Sequence, residues 1–367
     1  MSIYQERLDR YHEAIALEPA DRASVSFLGP AVNAQFTGTK LSDYCNDMEL
    51  SCNTNLKGIE MVGDVDTTQT TIFQPRMLAS FWLTEVLMPG EALPENELWQ
   101  MKERETITQA DYDEILEGGF GPWYQKVLVE RLDDPMAKAA SYFAYMPTAL
   151  QRFAEAGLPS INNGMFYTPF EMFCGGRSMI SFLMDDLVDI PEKVEAVFAK
   201  VQEFNMAQSE AMLKELGPGM ISGWLGSWRG TPGILSPAMF ERFSWKYIKE
   251  MADLVISYGV TPILHFDSSW TPGLHYLREL PAKKCILSLD GMTDIRKAKE
   301  VVGDRMCIMG DVPSQMLAMS SAEKVTEYCK SLIKDMGTAG FILCSGCDVP
   351  YNAKLENVQA MVASVHS

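Results

Sequence analysis

"VTPILHFDSSWTPGLHYLRELPAKKCILSLD", residues 260–290, reads as a strand, a helical connection and a second strand. Its ends, 260–267 and 284–290, are short apolar runs, each closing on a polar residue. Unbroken apolar strands are covered on both faces, as in a parallel sheet flanked by helices. Two more runs follow, "RMCIMGD" (305–311) and "GFILCSGC" (340–347), separated by the helix-like "TDIRKAKEVVG" and "SSAEKVTEYCKSLIKDMG". Strand and helix alternating every 20 to 35 residues or so mark βα units.

Upstream, "RASVSFLG" (22–29), "KGIEMVGD" (57–64), "LPSINNGMF" (158–166) and "GPGMISGWLG" (217–226) are further strand candidates. About eight strands are the number for a (β/α)8 TIM barrel, an α/β fold. An open doubly wound sheet is the competing arrangement, but no glycine-rich phosphate loop follows the first strand. "SPAMFERFSWKYIKEMADLVISYG" (236–259) opens with Ser236 and Pro237, a cap followed by a proline suited to the first helical position. The acidic, Pro- and Gly-punctuated segment 86–123 reads as an inserted helical cap. The expectation is one barrel domain over 1–367, with an N-terminal helical extension and that insertion.

The 31 Lys and Arg against 49 Asp and Glu give a net charge of −18. Nucleic acid and anionic membrane both call for a positive surface, so neither is expected as a partner. No run of 18 uncharged apolar residues is present, and the start "MSIYQERLDRYHEAIALEPADR" carries charges where a secretory leader needs an apolar stretch. The expected location is cytoplasmic. Eight scattered cysteines suit reduced thiols, and 24 methionines are a compositional hint of a reducing, anaerobic cell.

Side chains at the carboxyl ends of barrel strands converge on one mouth, where active sites lie. The rhythm puts His265 with Asp267, then Asp290, Asp311, and Cys344 with Cys347 at successive strand ends. His265 and Asp267 share a face, because strand side chains alternate. Imidazole, carboxylate and thiolate together suit Zn²⁺, and three protein ligands leave a fourth position for substrate. Each element also has a plainer reading: a structural His–Asp pair, a redox CxxC, aspartates capping loops, and Phe166, Tyr167, Trp224, Trp228 and Trp270 as packing.

"ILHFDSSWTPGLHYL", "GDRMCIMGDVPSQML" and "GFILCSGCDVPYNAKLENVQAMV" resemble the uroporphyrinogen decarboxylase superfamily. "ADRASVSF", "GGRSMISFLMDDLVDIPEKVEAVFAKV" and "ILSPAMFERFSWKYIKEMADLV" fit the same pattern. The resemblance covers most of residues 150–367 and little of the first 150. It implies a (β/α)8 barrel and one of two activities. The decarboxylases bind porphyrinogen carboxylates through arginines of an N-terminal strand and loop. The corresponding "SVSFLGPAVNAQFTG" (24–38) has no arginine.

The other branch, the corrinoid-dependent methyltransferases, includes methylcobamide:coenzyme M enzymes and O-demethylase components. By resemblance these hold zinc with a His-x-Cys pair and a distant cysteine in a Gly-Cys-Asp context. His265 matches the histidine and Cys347 the distant cysteine, while Asp267 replaces the first cysteine and Cys344 is a further candidate ligand. The resemblance implies zinc, a corrinoid on a corrinoid-binding partner protein, and a small methylated substrate. Within it, Asp290 and Asp311 are candidate catalytic residues that orient substrate or water. Phe166, Tyr167, Trp224 and Trp228 are candidates for binding an aromatic substrate ring.

Overall fold

Alternation gives the apolar runs two buried faces, and in the computed structural model, which describes residues 2–366, these runs form one parallel sheet. Its eight strands among the described residues are β1 (Ser24–Phe27), β2 (Thr67–Thr68), β3 (Met165–Phe166), β4 (Ser222–Ser227), β5 (Thr261–Phe266), β6 (Ile286–Leu289), β7 (Cys307–Val312) and β8 (Phe341–Ser345). They lie in the order β2-β1-β8-β7-β6-β5-β4-β3. The sheet curls until its edges meet at one bridge, Thr68 to Ser160, with Ile161 N donating to Thr68 O at 2.9 Å. The architecture is TIM-barrel-like, with a seam of one bridge and no continuous ladder.

Both faces are filled. Phe27, Leu264, Leu287, Ile308 and Leu343 point outward beneath the helices, while Ile263, Ile286, Met309 and Ile342 point inward. Each such side chain, fully buried, contributes about 1.5–3 kcal/mol. The helix Ile3–Ile15 packs Tyr11, Ala14 and Ile15 onto the inner cluster, and Tyr11 shares a 2.6 Å hydrogen bond with Ser222 Oγ.

One strand expectation fails. Residues 57–64 lie mostly in the helix Met48–Val62, and the strand comes later, at β2. Met48, Ser51, Cys52, Asn55, Ile59 and Val62 are buried at spacings of three and four. That period belongs to a helix face, and "KGIEMVGD" alone is too short to reveal it. The segment 158–166 yields only the Ser160 bridge and β3, and 217–219 is a 3₁₀ turn before β4. Ser236 does cap its helix, its Oγ accepting from Met239 N. Residues 86–123 contain most of an antiparallel ribbon (Glu85–Leu87 with Gln100–Lys102), the helix Gln109–Gly118 and the start of the helix Phe120–Arg131. No helix among the described residues is long and apolar enough to cross a membrane.

Candidate metal centre and aromatic pocket

His265 sits near the end of β5, inward-facing and 2% exposed. Its Nδ1 lies 3.0 Å from Ser288 Oγ of β6, the residue paired with it in register. Its Nε2 lies 3.3 Å from Asp267 Oδ1. One donor atom each from His265, Asp267 and Cys347 fall within 4.8 Å of one another. The three come from the β5 end and the loop after β8, the strand ends where a barrel gathers its chemistry.

The surrounding chain fixes these positions. Asp267 N donates to Ser227 O at 3.0 Å, tying the ligand loop to β4. Ser268 has φ +65°, a left-handed conformation uncommon for a residue with a side chain. Three bonds hold it there: its N–H to Asp290 Oδ2 at 2.9 Å, its Oγ to Trp228 O at 3.0 Å, and Thr293 Oγ1 to its carbonyl at 3.1 Å. Asp290 also accepts from Met292 N, so both of its oxygens brace the rim. A Cβ on Gly346 would lie 2.5 Å from the Asp290 carbonyl oxygen. Only glycine lets the chain pass there and deliver Cys347. Gly346→Ala is expected to cost about 1–3 kcal/mol by overpacking, read from urea unfolding, and to shift Cys347 away from His265.

The charges are coupled. Burial opposes the His265 imidazolium, but the adjacent Asp267 and Cys347 outweigh burial and hold its pKa well above the usual value. Burial pushes the Cys347 thiol up, Asp348 adds to that, and His265 opposes it. Burial likewise raises Asp290, against the N–H groups of Met292 and Ser268.

The other predicted ligands and acids lie apart. Cys344 faces inward from β8, and Gln69 Nε2 approaches its Sγ at 3.6 Å; it does not join the His265 cluster. Asp311 accepts from Tyr328 OH at 2.8 Å, on the helix Ala322–Met336, so its carboxylate is engaged on the helical side of the sheet. Strand-end position placed both residues correctly along the chain, but Cys344 lies inside the barrel apart from the three donors and Asp311 turns outward.

The four predicted aromatics line one cavity together with Phe81 and Trp82. Trp224 stacks on His265 with ring centroids 5.2 Å apart at 24°, which joins the cavity to the cluster. Tyr167 stacks on Phe81 at 4.7 Å, and Trp228 meets Trp82 edge to face at 4.5 Å. Glu171, of the helix Pro169–Arg177, also lines it. This buried carboxylate accepts from Ser227 Oγ and from the N–H groups of Trp228, Arg229 and Gly230, at 2.9–3.2 Å. Burial pushes its pKa up to about 7 in spite of those donors. Sequence reasoning missed Glu171 and Ser288. Strand parity and pairing point to Ser288, whereas nothing local marks Glu171, whose partners lie more than fifty residues away.

A family model for uroporphyrinogen decarboxylase (URO-D) matches residues 125–367. The chain belongs to the uroporphyrinogen decarboxylase family. Among similar members, the uroporphyrinogen decarboxylase of Coxiella burnetii is 25% identical over 252 residues, 65% of this chain and 66% of that one. That of Syntrophotalea carbinolica is 22% identical over 342 residues, 89% and 86% of the two chains. A methyltransferase from Methanosarcina mazei has the same fold, with a TM-score of 0.73 at 19% identity over 100% of this chain and 98% of its own. Family membership accounts for the curled parallel sheet.

Proposed function

We propose that this chain is a zinc-dependent methyltransferase, moving a methyl group between a small methoxylated compound and the cobalt of a corrinoid on a partner protein. The observation that carries this is the approach of His265, Asp267 and Cys347 donor atoms to within 4.8 Å, beside a ring-lined cavity. The donor set fits the metal: two anionic groups and a neutral imidazole balance one divalent cation, and three protein donors are the complement of a catalytic site. Zinc held there would supply Lewis acidity at the ether oxygen, where negative charge grows as the methyl departs.

The protein's own groups do the rest. Ser288 engages Nδ1 and leaves Nε2 facing Asp267 and Cys347, the orienting role that partners of metal-bound histidines perform. Trp224 covers one face of His265 and keeps water from it. Asp290 holds the Asp267–Ser268 turn in place. Asp267 is a harder, less electron-donating ligand than a thiolate, which favours action on an oxygen over activation of a thiol. The relatives named uroporphyrinogen decarboxylases favour a second reading, decarboxylation. Against it, residues 24–38 hold no arginine, and none lines the aromatic cavity.

Purified protein is expected to carry about one zinc per chain, set by one three-donor cluster. With Co(I) cobalamin and a methoxyarene it is expected to form methylcobalamin, read by visible absorption. Decarboxylation of uroporphyrinogen without methyl transfer would sink the proposal. Asp267→Cys is expected to retain zinc while losing about tenfold or more in ether turnover, because the softer ligand weakens the Lewis acid.

A further inference from the structure

The seam between β2 and β3 is a thin joint. Two backbone hydrogen bonds cross it among the described residues, Thr68 N to Pro159 O at 3.0 Å and Ile161 N to Thr68 O at 2.9 Å. The helices Met48–Val62 and Ala140–Glu155 lead into its two edges. Between these helices runs a groove of about 560 Å³, within the size range of small-molecule sites. Gly63 and Leu158, which shortly precede the two edges, also line it. The groove therefore lies toward the amino ends of the strands, at the other end of the barrel from the His265 cluster.

The charges in the groove narrow the ligand. Lys57, exposed on one wall, makes no ion pair among the described residues. Arg152, half-buried on the facing wall, directs its guanidinium to two neutral groups, Asn53 Oδ1 at 2.6 Å and Tyr145 OH at 3.2 Å. Arg7 is neutralised by Asp64 Oδ1 at 2.6 Å, and it also donates to Gly157 O at 2.7 Å, so it already straddles the seam. In a chain of net charge −18, two cations that face one groove without a carboxylate partner mark a place that takes its negative charge from outside. Glu60, on the Lys57 wall, sets the limit: two free cations against one carboxylate suit a single anionic head and not a polyanion. Leu56, Ile59 and Leu158 make the rest of the lining apolar, which suits a hydrocarbon body.

We infer that this groove binds an amphipathic anion, an apolar body with one oxyanionic head, held by Lys57 from one side of the seam and by Arg152 from the other. Bound there, the anion ties together the helices that lead into β2 and β3 and keeps the joint of the barrel closed. A carboxylate and a phosphate monoester share this chemistry, since both accept charge-assisted hydrogen bonds from a guanidinium and an ammonium. The site stands independently of the methyl-transfer reading.

The test is calorimetric binding to the full chain, with octanoate, octyl phosphate, octanol, octylammonium and acetate as probes. The tighter of octanoate and octyl phosphate is expected to bind once per chain and about tenfold more tightly than octanol, and which of the two it is identifies the head. Acetate, a head without a body, and octylammonium, a body with the wrong charge, are expected to bind more weakly than either. Arg152→Gln and Lys57→Gln are each expected to weaken the anion about tenfold and leave octanol within about twofold, while Arg152→Lys keeps most of the affinity. Lys57 has no partner in the fold to lose, so its variant separates lost binding from misfolding. The second measurement is amide hydrogen exchange at Thr68 and Ile161. At ten times its dissociation constant the anion is expected to slow both amides about tenfold in the wild type, and not in Arg152→Gln at the same concentration. Octanol or octylammonium binding as tightly as the anions, affinity unchanged in both Gln variants, or seam amides that exchange at the same rate with the anion bound overturns the inference.

Discussion

His265→Ala is expected to lose stoichiometric zinc and, with it, methyl transfer. Structural zinc sites bind with about 10–16 kcal/mol from four ligands, so one ligand accounts for about 3–4 kcal/mol, a factor of about 10²–10³ in affinity. At micromolar protein and zinc, a loss of that size takes the site from filled to mostly empty. The remaining pair, Asp267 and Cys347, also loses the His265 ring that opposes the upward shift of the Cys347 thiol, so the thiolate a metal needs is harder to form. Metal analysis after dialysis and the rate of methylcobalamin formation are the two measurements. Far-UV circular dichroism should stay near wild type, because β5 keeps its outward-facing Leu264 and Phe266 in the main core. A variant that retained one zinc per chain and full turnover would remove the cluster from the mechanism.

The largest expected loss of stability comes from Glu171→Ala. Truncation leaves one hydroxyl and three backbone N–H groups of residues 227–230 without their acceptor, in a buried place. Breaking a buried charged cluster from one side costs about 3–5 kcal/mol, measurable by urea unfolding. The loop that carries Trp228 loosens at the same time, so the intrinsic fluorescence of the folded state should shift.

Glu171 also makes stability depend on pH. Its pKa rises from 4.5 to about 7 on folding, chiefly through burial. The folded state therefore binds the proton more tightly than the unfolded chain does. This contribution is fully present below about pH 4.5 and is lost as pH rises through about 7. Glu171→Gln removes the titration, so its unfolding free energy should lack that part of the decline. An unchanged slope would show that other groups account for it.

The second half of the fold was legible because both of its signals are local. Apolar runs ending at Asp267, Asp290 and Asp311 report strands covered on both faces, and the helices between them show the 3.6-residue period. The first half was harder to read. Residues 57–64 look like a strand in isolation, while the burial pattern of Met48–Val62 shows a helix whose face becomes evident only over its full length. β2 and β3 are two residues each, too short to leave a pattern, and their edges meet through one bridge.

At the site, chain order located the strand ends but not the directions of their side chains. His265 and Asp267 share a face by strand parity, so their pairing is a local property. Cys347 reaches them because Gly346 slips past the Asp290 carbonyl, a contact between loops more than fifty residues apart. Cys344 and Asp311 occupy equivalent strand-end positions and turn instead toward Gln69 and Tyr328.

The residue pattern by itself determined the βα rhythm, the parallel sheet and the donor types available at its carboxyl rim, because periodicity and chemical type are carried by neighbours in the chain. Only the tertiary structure decided which donors meet, that Ser288 lies against the histidine, and that Glu171 lines the aromatic cavity. Those choices depend on loop crossings and on burial by distant segments, and no stretch of a few residues encodes either.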